Sequence, residues 1–225
     1  MTAAVVFDLD GVLLDSEQVW NEAKRELVTE RGGRWHEEAP HRMMGMSSPE
    51  WSTYLRDEFG LDMELDEISD AVVARLEQIY RERLPLLEGA VEAVERLEER
   101  WPLGLASSSN REIIDLFLEL SGLAGRFEVT ISSEEVASGK PAPDVYLEVA
   151  RRLRVEPAEC VAVEDSTNGI RAARAAGMAV IALPNPHYPP GADELAAADA
   201  RIGSLGELTP ELVEQVQARR PSSST

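Results

Sequence analysis

Ala3-Ala4-Val5-Val6-Phe7-Asp8-Leu9-Asp10-Gly11 decides the fold of this chain: a wholly apolar run ends abruptly in two acidic residues and a glycine. An apolar run this short, without polar alternation, suits a strand covered on both faces, as in a parallel sheet between layers of helix. The pattern recurs at Leu103 to Ala106, Val129 to Ile131, Val161 to Val163 and Ala179 to Leu183. Between the runs lie segments of helical period, with Val91, Val94 and Leu97 in one and Ile113, Ile114, Phe117 and Leu118 in the next. Pro143 marks the first turn of a helix over Val145 to Leu153, and Gly177 closes another that starts near Ser166. Strand and helix in alternation give an α/β protein with a Rossmann-like, doubly wound parallel sheet.

One interval interrupts this order. Nothing between Asp15 and about Leu84 reads as a buried strand, yet helical spacing recurs: Trp20, Ala23 and Leu27 line one helix, and Ile68, Val72, Leu76 and Ile79 another. Between them, Ser48 and Pro49 suit the cap and first residue of a further helix. The expected organisation is therefore a core of residues 1–14 and 85–218, an all-helical cap of 15–84 and a disordered Pro/Ser-rich tail of 219–225. Two short hinge strands, around Leu14 to Glu17 and Leu84 to Gly89, would join cap to core.

With 42 acidic against 22 basic side chains, the net charge of -20 disfavours nucleic acid and anionic membranes as partners. Cys160, the single cysteine, sits in the apolar run Cys160-Val161-Ala162-Val163, which suits an inert buried thiol and excludes an intrachain disulfide or a multi-cysteine metal cage. His36, His41 and His187 are scattered without metal-like spacing, and Lys24 and Arg25 read as solvated. With no leader pattern and no apolar run of membrane-spanning length, a cytoplasmic monomer is the default expectation.

In an open parallel sheet the loops after the strands converge on one crevice. Four of them here carry chemistry: Asp8-Leu9-Asp10-Gly11, Ser107-Ser108-Ser109-Asn110, Lys140-Pro141 and Glu164-Asp165-Ser166. Phosphoryl transfer needs an in-line nucleophile, neutralisation of the phosphoryl oxygens and a proton for the leaving alkoxide. Asp8 can attack phosphorus without a base to activate it, and Asp10, one step further out, can serve as general acid and then base. Lys140 supplies a positive charge, while the Ser107 hydroxyl and the Ser108 backbone N–H would hold a phosphate oxygen. Crowding Asp8, Asp10, Glu164 and Asp165 together requires a cation, and oxygen ligands without His or Cys suit Mg²⁺. Asp8 and Asp165 are the carboxylate ligands expected; Glu164 is either a further ligand or a partner that orients water. Taken singly each of these residues could be a helix cap or a loop charge, but that reading does not explain four complementary strand ends.

In their order, these segments resemble the four motifs of the haloacid dehalogenase superfamily: DLDGVLLDSE, ASSSN, GKPAPDVY and VEDSTNGI. The resemblance covers nearly the whole chain. It implies a magnesium-dependent phosphatase acting on small phosphorylated metabolites, a mobile cap formed by the helical insert, and a metal contact through the Asp10 backbone carbonyl. Asp10 argues against the dehalogenases of the superfamily, which lack an acid there, and against the phosphonate-cleaving relatives, which replace it.

A rival within the resemblance is a sugar phosphomutase of the β-phosphoglucomutase type, which has a His where Trp20 stands and an Arg where Ser48 stands. Asp15-Ser16-Glu17-Gln18-Val19-Trp20 is closer to the sugar-phosphate and 2-deoxyglucose-6-phosphate phosphatases. Glu17, Trp20, Ser48 and Asn110 are the candidate substrate contacts, with Ser47 and Arg111 beside them. A catalytically dead binding module would have lost one of Asp8, Asp10, Lys140 or Asp165, and all are present.

Overall fold

A computed structural model describes residues 2–43, 46–186 and 189–219. His187 and the expected tail, apart from Arg219, lie outside the described residues. The sheet contains β1 (Ala4–Phe7), β2 (Leu103–Ser107), β3 (Val129–Ser132), β4 (Cys160–Glu164), β5 (Ala179–Ala182) and β6 (Ala200–Arg201). All pairings are parallel and the order is β3-β2-β1-β4-β5-β6, so the chain runs outward from β1 in both directions. The strand ends on either side of β1 therefore flank one crevice, the switch point of a doubly wound sheet. The five apolar runs are strands as expected, whereas β6 is a two-residue edge whose Ala-Arg composition carries no strand signal.

Alternation along the strands divides the core. Val5, Phe7, Leu103, Leu105, Val161 and Val163 pack towards α5 (Ala90–Glu98), α6 (Arg111–Ser121) and α10 (Pro210–Ala218). Ala4, Val6, Ala106, Ala162 and Val180 face α7 (Asp144–Leu153) and α8 (Thr167–Ala175) on the other side. Cys160 belongs to this second layer, fully buried, and burial pushes its thiol up to about 12, which keeps it protonated and inert.

Between β1 and α5 the described residues form helices and no strand: α1 (Glu17–Glu30), α2 (Ala39–Met43), α3 (Ser48–Phe59) and α4 (Leu65–Glu82). The cap of α3 is Ser47 rather than the expected Ser48, with the Glu50 carboxylate accepting from the Ser47 backbone N–H at 2.7 Å. The expected hinge strands shrink to one antiparallel bridge, Leu14 with Leu86, flanked by Asp15 N–H to the Pro85 carbonyl and Leu87 N–H to the Leu13 carbonyl. The ladder stops there because α1 begins at Glu17 and Pro85 has no N–H to donate. A short α9 (Ala192–Ala197) completes the helices, and no helix among the described residues is long and apolar enough to cross a membrane.

Candidate active site

Asp8 leaves β1 with its backbone N–H still bonded to the Val163 carbonyl, so the sheet itself aims it into the crevice. The Lys140 Nζ arrives from the loop before α7 and donates to Asp8 Oδ1 at 2.7 Å, Glu164 Oε1 at 2.6 Å and the Ala106 carbonyl at 3.1 Å. It also lies 5.1 Å from the centre of the Tyr146 ring, whose hydroxyl donates to Glu164 Oε1 at 2.6 Å. Glu164 Oε2 accepts from the backbone N–H groups of Asp165 and Ser166 and from the Ser166 hydroxyl. Both Glu164 oxygens thus have protein donors, and the carboxylate fixes the lysine and the turn into α8.

Asp8, Glu164 and Asp165 are all buried and offer carboxylate oxygens within 4.8 Å of one another. Burial is the largest influence on Asp8 and lifts its pKa to about 8; Lys140 pulls it down, while Glu164 and Asp10 push it up. Asp165 is raised well above the carboxylate range by burial and by the charges of Glu164 and Asp8. For Lys140 burial works the other way, but the charges of Asp8 and Glu164 outweigh it and hold the pKa above its ordinary value. The lysine therefore keeps its proton and the carboxylates compete for it. Three carboxylates against one ammonium leave two negative charges uncompensated, which fits a divalent cation at this spot.

Two glycines make the crowding sterically possible. At Gly11, where φ is +80°, a Cβ would overlap the Asp165 carboxylate, so close approach as well as backbone freedom requires glycine. At Gly169, in the first turn of α8, a Cβ would overlap the Glu164 carboxylate.

Asp10 is held by three donors from two parts of the chain. Its Oδ1 accepts from the Ser16 hydroxyl and from Trp20 Nε1 at 3.1 Å, and its Oδ2 accepts from the Ser109 hydroxyl. Ser16 stands at the cap position of α1 but makes no capping bond, its hydroxyl being committed to Asp10. Asp10 shares a pocket with Asp8, Ser108, Ser109, Lys140 and Asp165 from the sheet ends, and with Glu17, Trp20, Lys24, Met43 and Trp51 from the helical insert.

Asp8, Asp10, Lys140, Asp165, Ser108, Glu17 and Trp20, all named from the sequence, line this one pocket. It does not bring Ser48 and Asn110 there: the Ser48 hydroxyl donates to Asn110 Oδ1 at 2.9 Å, and Asn110 Nδ2 donates to Ser69 and Glu134. Ser107 is fully buried and its hydroxyl accepts from the Ser109 N–H at 3.0 Å, so Ser108 and Ser109 line the pocket in its place. Lys24 is not solvated. It is 6% exposed, with its Nζ 5.0 Å from the centres of both the Trp20 and Trp51 rings, and burial lowers its pKa to about 8 against the opposing charges of Glu17 and Asp10. Tyr146 and Ser109 were also missed, although both lie within motifs read from the sequence.

The family model for haloacid dehalogenase-like hydrolases matches residues 2–177. Hexitol phosphatase B of Escherichia coli (strain K12) is 35% identical over 212 residues, covering 92% of this chain and 94% of its own length. The probable pseudouridine-5'-phosphatase of Drosophila melanogaster is 31% identical over 213 residues, with 92% and 91% covered. The crystal structure of CbbY from Rhodobacter sphaeroides in complex with phosphate superposes with a TM-score of 0.85 at 25% identity, covering 95% of this chain and all of that one (100%).

Proposed function

This chain belongs to the haloacid dehalogenase-like hydrolases and is a phosphatase; we propose that it releases phosphate from small sugar or polyol phosphates, with Mg²⁺, through an aspartyl phosphate on Asp8. The observation that carries this reading is the Lys140 ammonium bridging Asp8 and Glu164 in the pocket where Asp10 is fixed by Ser16, Trp20 and Ser109. The names of the relatives support phosphorylated carbohydrates as the substrate class.

Asp8 attacks phosphorus in line, forming the acyl phosphate bond as the bond to the substrate oxygen breaks. Asp10 delivers a proton to that leaving oxygen, then takes one from the water that attacks the acyl phosphate, so that phosphate leaves and Asp8 is restored. Lys140 stabilises the negative phosphoryl oxygens, and the Ser108 and Ser109 segment, which lines the same pocket, would donate to a further oxygen. Asp8, Asp165 and the Asp10 carbonyl would hold Mg²⁺, which supplies charge neutralisation of the carboxylates and the phosphoryl group. Glu164, with both oxygens occupied by protein donors, would act by positioning Lys140 rather than as a ligand. Helices α1 to α4 would act as the cap, residues 15–84, that excludes bulk water.

The test is a panel of phosphorylated metabolites assayed for phosphate release with Mg²⁺ and with a chelator. Release from sugar or polyol monophosphates that needs the ion and is lost in Asp8→Asn is expected. Release that persists undiminished in Asp8→Asn, or with the chelator, would overturn the mechanism.

A further inference from the structure

The pocket has a second polar cluster, which the chemistry above does not use. Glu17, Asn21 and Lys24 are spaced four and three residues apart on α1, so their side chains share one face of the helix, and all three line the pocket. A lysine at this depth needs a reason. The Lys24 Nζ is packed against the Trp20 and Trp51 rings, and among the described residues no carboxylate lies at ion-pair distance from it. The Asn21 side-chain amide nitrogen is likewise buried without a hydrogen-bond partner among the described residues. A buried donor without a partner is destabilising, so the Asn21 nitrogen signals a group that a ligand satisfies, and the Lys24 ammonium beside it lines the same pocket with only aromatic faces against it.

We propose that this face of α1 is the specificity site, in which Lys24 and Asn21 donate to, and Glu17 accepts from, adjacent hydroxyl groups of an uncharged sugar or polyol moiety. The inference rests on the phosphatase reading and narrows its substrate class. A donor–acceptor set matches a hydroxyl, which both accepts and donates, better than a second anion. The negative charges of Glu17 and Asp10 near the ammonium leave little net positive charge for a distal phosphate, so monophosphates are selected over bisphosphates. The tryptophan rings hold the ammonium through their faces and offer it no oxygen acceptor. Packing of the cap alone would account for Trp20 and Trp51 but not for charged and amide donors set beside them.

The test compares kcat/KM for sorbitol 6-phosphate with that for acetyl phosphate, whose leaving group is too short to span the pocket, in the wild type, Lys24→Met and Glu17→Gln. The ratio of the two constants cancels any loss of folded enzyme. It is expected to fall about 10- to 100-fold in each variant, the range of one hydrogen bond to a charged group. A fall of less than about tenfold, with both substrates weakened alike, would leave Lys24 a packing residue and overturn the proposal. So would a preference of the wild type for glucose 1,6-bisphosphate over glucose 6-phosphate, which would assign the ammonium to a second phosphate. Hydrolysis of acetyl phosphate but of neither sorbitol 6-phosphate nor glucose 6-phosphate overturns the polyol assignment alone. Failure of the wild type on every phosphate ester, with Mg²⁺ present, sinks the phosphatase reading instead.

Discussion

Replacing Lys140 by methionine keeps most of the side-chain volume and removes the charge that joins Asp8 to Glu164. Taking one partner from a buried ion pair costs about 3–5 kcal/mol, because the remaining charge has lost its compensation. Two buried carboxylates lose theirs here, so the upper part of that range is expected, out of a total stability of about 5–15 kcal/mol. Protonation relieves part of the loss, and its sign is fixed by Asp8. Its pKa in the folded chain, about 8, lies above the ordinary 3.8 and rises further without the lysine, so the folded state binds the extra proton between those values. Stability therefore falls as pH rises through this window, by up to about 1.4 kcal/mol per pH unit for each proton. Urea unfolding without added metal, at about pH 6 and about pH 8, should show the variant losing more at the higher pH. In an Asp8→Asn background the same substitution should cost about 1–3 kcal/mol less, since one stranded carboxylate is gone. A loss below about 1 kcal/mol at the higher pH, or an equal loss in both backgrounds, would refute the reasoning.

With Mg²⁺ bound at Asp8 as proposed, the ion would displace the proton that Asp8 holds, so the rise in melting temperature on adding Mg²⁺ should grow between about pH 6 and about pH 8; a shift indifferent to pH in scanning fluorimetry would contradict this. Gly11→Ala places a methyl group on the Asp165 carboxylate at a positive φ, and should cost about 1–3 kcal/mol in urea unfolding while lowering kcat by more than about tenfold; wild-type kcat would remove the steric argument. Trp20→Phe keeps an aromatic ring but deletes the N–H that fixes Asp10, and should lower kcat about tenfold with KM little changed in steady-state assays. An unchanged kcat would mean that Ser16 and Ser109 suffice to hold the acid.

Much of the core was legible because a strand buried on both faces leaves an unmistakable apolar run, and the chemistry sits directly after such runs. Asp8 and Asp165 follow from this rule before any coordinates, whereas Lys140, in the loop well after β3, was reached through the order of the motifs. The misplaced residues fail for a common reason: a hydroxyl or amide does not declare its partner in sequence. Ser48 and Asn110 bond each other, 62 residues apart, and Ser107 is turned onto its own loop. Lys24 misled because a lysine is usually solvated, although its spacing of four from Trp20 sets it on the same face of α1; α3, bringing Trp51 across from a distant segment, closes it in. β6 was invisible because an edge strand of two residues needs no apolar face.

Turnover by the proposed route requires Asp8 to carry the phosphoryl group. Wild-type protein mixed with Mg²⁺ and a substrate it turns over, quenched in acid within one turnover and digested, should yield a single phosphorylated peptide, the one containing Asp8. The label should be removed by hydroxylamine and missing from Asp8→Asn. Phosphate release with that peptide never modified would contradict the account.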